Sequence, residues 1–183
     1  MPSSEETHAQ ELLGSSQVYA KRAVEILLGD ERLKDCVPAP LRPAMMAEFD
    51  RFHLFLIFSS LEDKSHREKT FFQRVHKSLR EQFLALEARR LIRFRDEISQ
   101  MAEGPALWKE LKPENDPLQP YYGSFDGGCR TLDDSPFGVV ARRVSSRFFS
   151  EETAGVAYET VLSITLDTGD RVTKVVDEIR DAG

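Results

Sequence analysis

Three arginines in the middle of the chain occupy positions where the hydrophobic pattern predicts a buried surface. Apolar side chains from Phe71 to Leu86 share one face of the helix expected there. Beyond Leu86, the directions of that face are taken by Arg89, Arg90 and Arg93. This change indicates a kink near residues 87–90, or a helix that changes packing partners midway. The guanidinium groups then leave the interface, pair with carboxylates of the acidic flanks, or line an anion-binding site.

The histidines are the other residues that could hold a ligand. His53 lies in a Phe-rich segment, where an imidazole between aromatic helices could ligate a haem. The alternative is a half-buried histidine hydrogen-bonded to a backbone or carboxylate group. Glu62 and His66 have i, i+4 spacing, but such a pair usually bonds to itself or to water. We therefore predict no metal site and no cofactor, and the candidate binding residues are Arg89, Arg90, Arg93 and His53.

Catalytic motifs are absent from the sequence. The segment from Gly123 to Cys129 is rich in glycine, but it lacks the spacing and the lysine of a phosphate-binding loop. Cys129 has no histidine close to it in sequence, and neither it nor Cys36 belongs to a CxxC pair, so both are expected to be reduced thiols. The sequence therefore favours a non-enzymatic protein, and no catalytic residue is assigned.

The charge of −6 is unevenly distributed along the chain. Residues 64–95 contain 10 Lys and Arg against 3 Asp and Glu, whereas both flanking regions are acidic. A basic helix between acidic flanks predicts either an anionic partner, such as nucleic acid, or neutralisation by the chain's own flanks. Because the whole protein has a pI of about 5.3, nucleic acid is an allowed partner but not the favoured one.

Helical signals cover most of the chain. Ser3 and Glu6 fit a capping box for a first helix, which Gly29 would end. A second helix is expected over about residues 43–60, with apolar side chains around much of its circumference. After a turn or kink at residues 59–63, a third helix is expected over 64–102. These two helices are predicted to form a central antiparallel pair.

The C-terminal half contains the least regular segment. Recurring proline and glycine predict an irregular connection over residues 104–135, with its aromatic side chains lying over the helices. A fourth helix is expected over 137–149, after a cap at Ser135. From residue 151, apolar steps of three and four predict a long helix, or two helices joined near Gly169. The alternative there is a small β-hairpin. The fold class is therefore all-α, an irregular bundle of four to six helices in a single domain spanning residues 1–183.

These observations predict a helical protein-interaction or regulatory module, dimeric through its Phe-rich or long-helix surface, with a protein partner or self-association. Two alternatives remain: a nucleic-acid or phosphate binder using residues 64–95, and a haem or ligand sensor built around His53. The most apolar run, Leu54–Phe58, has five residues, whereas a membrane span needs about 20. No signal-peptide pattern begins the sequence, so a cytoplasmic location without membrane contact is expected.

Overall fold

The chain is all-α, as the sequence predicts. The structure, a computed structural model, describes residues 3–66, 69–101, 104–111, 116–126 and 131–179. Within these ranges there are seven α-helices, a short 3-10 helix at Ala39–Leu41, and no β-strand. The helices are α1 (Ser4–Gly29), α2 (Arg42–Ser65), α3 (Lys69–Ser99), α4 (Gly104–Leu111), α5 (Gln119–Asp126), α6 (Pro136–Phe148) and α7 (Glu151–Glu178).

Local capping explains where α1 begins. The Ser3 hydroxyl accepts a hydrogen bond from the Glu6 backbone N–H at 3.2 Å, and the Glu6 carboxylate accepts one from the Ser3 N–H at 2.8 Å. This reciprocal pair satisfies donors that the first turn of a helix leaves without partners. After Gly29, the connection to α2 is held on the core by the buried side chains of Leu33 and Val37. The predicted capping box and the predicted end of α1 are confirmed.

Helix α2 lies at the centre of the bundle. It packs against α1, α3, α5, α6 and α7, and Phe49, Phe52, Phe55 and Phe58 are buried along it. The predicted pairing with α3 is antiparallel. Arg51, in the first half of α2, contacts Glu87 in the second half of α3, and Lys64 near the end of α2 contacts Phe72 near the start of α3. However, α3 packs mainly on α1, α2 and α4, whereas α2 contacts five other helices, so α2 is the more central member of the pair.

The predicted turn at residues 59–63 is wrong. Helix α2 continues through them to Ser65, and Leu61 is fully buried. The Ser60 hydroxyl donates to the Leu56 carbonyl at 2.9 Å, one helical turn back. A serine bonded in this way stays inside a helix. The third helix consequently begins later than expected, at Lys69, and ends at Ser99 instead of near residue 102.

Helix α3 is one continuous helix that changes packing partners midway, which was the alternative to a kink near residues 87–90. Its earlier turns bury Val75, Leu79 and Phe83 with α1 and α2, while its end packs with α4. Between these two apolar contacts, Glu87 is buried on the inner side. The apolar stripe is therefore interrupted by a buried charged residue rather than by a break in the helix.

The prediction of an irregular connection over residues 104–135 is also wrong for much of that segment. Helices α4 and α5 lie within it, and they raise the number of helices above the expected four to six. Pro105 and Pro120 stand in the first turns of these helices, where a missing N–H costs nothing. Trp108 and Tyr122 pack against the core and Tyr121 is fully buried, as the aromatic content predicts.

Helices α6 and α7 form a hairpin through the short corner at Phe149 and Ser150. Helix α7 is a single helix, so the alternative β-hairpin is wrong. Its threonines are compatible with a helix because the Thr165 and Thr168 hydroxyls donate to carbonyls one turn back. Gly169 lies inside α7, where the ring of Phe137 approaches to 3.0 Å from the position that a Cβ atom would occupy.

Gly138 and Gly155 provide a matched test of the close packing between α6 and the segment that precedes it. A Cβ atom on Gly138 would collide with the Asp133 backbone, whereas one on Gly155 would enter open space. We expect Gly138→Ala to lower the free energy of unfolding by about 2 kcal/mol through overpacking. Gly155→Ala should raise it by about 0.5–1 kcal/mol, because alanine favours the helix. Urea unfolding measures both changes, and equal effects of the two substitutions would contradict this packing.

Candidate functional site

The first half of α2 carries three charged side chains in an otherwise apolar interior. Glu48, Asp50 and Arg51 are each almost completely buried, with Glu48 only 2% exposed. An isolated buried charge is very costly, so each must have partners of opposite charge. Glu48 and Arg51 pair with each other within α2, and the other partners come from α3 and α6, with one hydroxyl from α1.

Glu48 is held by three arginines. Its carboxylate lies 2.9 Å from Nη1 of Arg51, 3.0 Å from Nε of Arg143 and 2.7 Å from Nη1 of Arg147. Arg143 and Arg147 are four residues apart on α6, so both point from the same face of that helix towards α2. The Tyr121 hydroxyl donates to the Glu48 carbonyl at 3.4 Å, which adds a contact from α5.

The contacts continue from Arg51 to α3. Nη2 of Arg51 lies 2.6 Å from the Glu87 carboxylate, whose second oxygen lies 2.9 Å from Nη1 of Arg90. Nη1 of Arg90 also lies 2.6 Å from the Asp50 carboxylate, and the Ser16 hydroxyl donates to that group at 2.6 Å. We refer to Glu48, Asp50, Arg51, Glu87, Arg90, Arg143 and Arg147 as the ion cluster.

The electrostatics of the ion cluster favour a structural role. Burial alone would raise the pKa of Glu48, but Arg51, Arg143 and Arg147 outweigh it and hold the pKa at about 2. A carboxylate with this pKa stays ionised and is a poor proton acceptor at neutral pH. For Asp50, burial prevails over Arg90 and Ser16 and raises the pKa. The pKa values of the two carboxyl groups therefore shift in opposite directions, because Glu48 has more cationic partners to outweigh the effect of burial.

The three arginines singled out by the sequence do not come together. Arg90 turns inward and joins the ion cluster through Asp50 and Glu87. Arg93 is exposed and pairs with Glu97 at 2.7 Å, one turn along α3. Arg89 is exposed to solvent. The pattern on the helical wheel thus located one member of a buried site and two surface residues.

His53 lies in the core between α1 and α7. Its Nε2 atom is 3.2 Å from the Thr168 hydroxyl, and its ring stands edge-on to Tyr19 with Phe52 beside it. Burial lowers the pKa of His53 from its ordinary value of 6.5 to about 4, so the ring is neutral at physiological pH. A haem ligand needs a ring nitrogen facing the iron. In this structure Nε2 of His53 faces the Thr168 hydroxyl.

The basic segment is partly neutralised by the acidic flanks. Exposed cations remain along α3, including Lys77 and Arg95. Three other cations form ion pairs with carboxylates from elsewhere in the chain: Arg74 with Glu5 at 3.1 Å, Arg80 with Asp116 at 3.3 Å, and Lys64 with Asp177 at 2.9 Å. This pairing weakens the case for a continuous phosphate-binding row.

No known protein-family model, curated protein or solved structure matches this chain. Its site must therefore be judged on geometry alone.

The described ranges contain no group of three or more His, Cys, Asp or Glu side chains arranged to hold a metal ion. An open cleft of about 210 Å³ between α2 and α3 is lined by Glu62, Ser65, Gln73 and His76, and Nε2 of His76 faces the Glu62 carboxylate at 3.4 Å. His66, which the sequence paired with Glu62, lies exposed at the end of α2.

None of the helices described is both long enough and apolar enough to cross a bilayer.

The outer face of α3 carries exposed apolar side chains at regular spacing. Leu84 is 47% exposed and Ile92 is 66% exposed, with exposed Ala88 between them. Glu81 and Arg95 continue this line at either end and are exposed too. At 100° per residue, all five fall within about 80° of the helix surface, opposite the buried side. We call these five residues the α3 outer face.

Sequence reasoning missed most of the ion cluster, although a signal was present. Glu48, Asp50 and Arg51 interrupt a segment whose apolar residues point in all directions around the helix. A helix buried on most sides cannot place such charges in water, so they had to have internal partners. The identity of those partners could not be read from the sequence, because Arg143 and Arg147 lie more than 90 residues further along.

Replacing Glu48 tests the dependence of the fold on the ion cluster. Glu48→Gln keeps the side-chain volume but removes the charge that Arg51, Arg143 and Arg147 share. We expect the free energy of unfolding to fall by about 3–5 kcal/mol, since the arginines lose a buried counter-charge. The control Glu25→Gln, in an exposed pair with Lys21, should change it by less than about 0.5 kcal/mol. Similar losses for both variants in chemical denaturation would refute a supporting role for Glu48.

The depressed pKa of His53 predicts a pH-dependent stability. The folded state resists protonation of His53, whereas the unfolded chain binds this proton below about pH 6.5. The contribution of His53 to the free energy of unfolding is therefore complete above pH 6.5 and is lost as the pH falls towards 4. The full shift corresponds to about 3 kcal/mol. In urea titrations between pH 4 and 7.5, His53→Gln should make the free energy of unfolding less dependent on pH. His66→Gln, at the exposed end of α2, should retain the wild-type slope; an unchanged slope in His53→Gln would contradict the assignment.

Proposed function

We propose that this chain is a non-enzymatic protein-interaction module that binds a helix of a protein partner on the α3 outer face. The observation that carries the proposal is the exposure of Leu84 and Ile92, two turns apart, with Ala88 between them. Apolar anchors repeating at helical spacing are the usual means by which one helix recognises another. Exposed apolar side chains grouped on one face more often mark a contact site than scattered single ones do.

Comparison with α1 supports the choice of this face. Val18 and Ile26 have the same separation as Leu84 and Ile92 and are also exposed. Between them, however, lies Arg22, whose charge interrupts the apolar line. On α3 the intervening residue is Ala88, which is small enough to let a second helix approach closely. The outer face of α3 is therefore better suited to helix packing than the outer face of α1.

The rest of the molecule favours the same surface. The Phe-rich helix, which the sequence offered as an alternative contact surface, is covered by five other helices of the chain. Arg90 is engaged by Asp50 and Glu87, and His53 is engaged by Thr168. The outward side of α3 makes none of these contacts, and its apolar anchors are held on a rigid element. A rigid helix loses little entropy on binding, which favours its use as a docking platform.

Site-specific photo-crosslinking in the protein's native cells tests this proposal. A benzophenone amino acid at position 84 or 92 should give a discrete covalent adduct with a partner, because both positions lie on the contact surface. The same probe at Val18 is the matched control, since Val18 is 67% exposed and Ile92 is 66% exposed. Absence of adducts at 84 and 92, or equal labelling from position 18, would overturn the proposed interaction surface.

A further inference from the structure

We infer that the helix bound by the α3 outer face is the same face of a second copy of this chain, in an antiparallel arrangement with its two-fold axis at Ala88. The inference rests on the proposed function and specifies its partner. The spacing of the face is symmetric: Leu84 and Ile92 lie four residues on either side of Ala88, and Glu81 and Arg95 lie seven residues on either side. A two-fold interface requires a surface that is complementary to itself in this way.

The antiparallel arrangement matches every position of the face. Leu84 of one copy meets Ile92 of the other, so apolar side chains pack together on both sides of the axis. Glu81 meets Arg95, which forms two equivalent pairs of opposite charge. At the axis, Ala88 meets Ala88, and the small side chains allow the helices to approach within about 8 Å.

A parallel arrangement of the same two faces is disfavoured by charge. It would place Glu81 against Glu81 and Arg95 against Arg95, and like charges at a helix interface repel each other. Neither Glu81 nor Arg95 forms an ion pair with another residue in the described ranges, so both are available for a partner. The charge pattern thus specifies the direction of the second helix, while the apolar residues supply the attraction.

The size of the face predicts how strong the association is. The contact extends over about 21 Å of helix, from Glu81 to Arg95, at a rise of 1.5 Å per residue. Such a contact buries less than the roughly 1,600 Å² of a standard stable interface. We therefore expect a reversible dimer, with a dissociation constant on the order of micromolar or weaker.

Sedimentation velocity on the purified full chain, from about 1 to 300 µM, measures this dimer. Glu81→Arg alone or Arg95→Glu alone should weaken dimerisation at least about tenfold, because each places like charges together. The double substitution reverses both charges, restores the antiparallel pairs, and should recover the wild-type affinity within about threefold. Val18→Arg, at an equally exposed residue of α1, should leave the association unchanged. Single variants without effect, or a double variant as weak as the singles, would overturn the arrangement.

A cysteine at the axis gives a second, geometric readout. In a chain with Cys36→Ser and Cys129→Ser, Ala88→Cys should form an intermolecular disulfide on mild oxidation, since facing Cα atoms at the axis lie within the reach of a disulfide. Val18→Cys should not. A strict monomer at 300 µM with no Ala88→Cys dimer would reject self-association. If photo-crosslinking at position 92 then yields only adducts of another mass, the interaction function stands and the second-copy inference fails; no adduct of any mass rejects both.

Discussion

The arrangement of the helices depends on the contacts that the carboxylate of Glu48 makes with three arginines. Glu48 lies in the second turn of the central helix α2 and is held by arginines from α2 itself and from α6. A buried ion pair adds little net stability relative to apolar packing, because desolvation offsets most of the attraction. Its effect is geometric: any shift of α6 along α2 would leave a charge unpaired in the core. The same applies to α3, whose Glu87 pairs with Arg51.

Most of the helices could be predicted from the sequence because their ends are determined locally. The capping box at Ser3 and Glu6 and the cap at Ser135 form within one turn of the chain. The failures occurred where tertiary contacts decide. Residues 59–63 resemble a turn, yet burial of Leu61 in the core keeps them helical. Helix α5 is short and begins near prolines, and it is stabilised by Tyr121 packing on the rings of α2 rather than by its own propensity.

The candidate site could be predicted only in part, for a related reason. A helical wheel gives the direction of a side chain, but it does not identify the group that the side chain meets. It placed Arg89, Arg90 and Arg93 near the buried stripe, and only Arg90 has buried carboxylates within its reach. Long side chains at the margin of a stripe can turn towards solvent, as Arg93 does in pairing with Glu97. The decisive partners are distant in sequence, so periodicity could not supply them.

The ion cluster and the α3 outer face belong to one helix, and this connects stability with recognition. Glu87 and Arg90 anchor the inner side of α3 to Arg51 and Asp50, which fixes the rotation of α3 about its own axis. Apolar packing alone would tolerate a modest rotation, because Leu and Phe side chains can repack, whereas short charged contacts tolerate less. Ala88 lies between Glu87 and Arg90 in sequence but on the opposite side of the helix. Because Glu87 and Arg90 are held pointing inward, Ala88 is held pointing outward. The buried charges thus orient a surface that they do not touch, and a helix docking there meets anchors already in position.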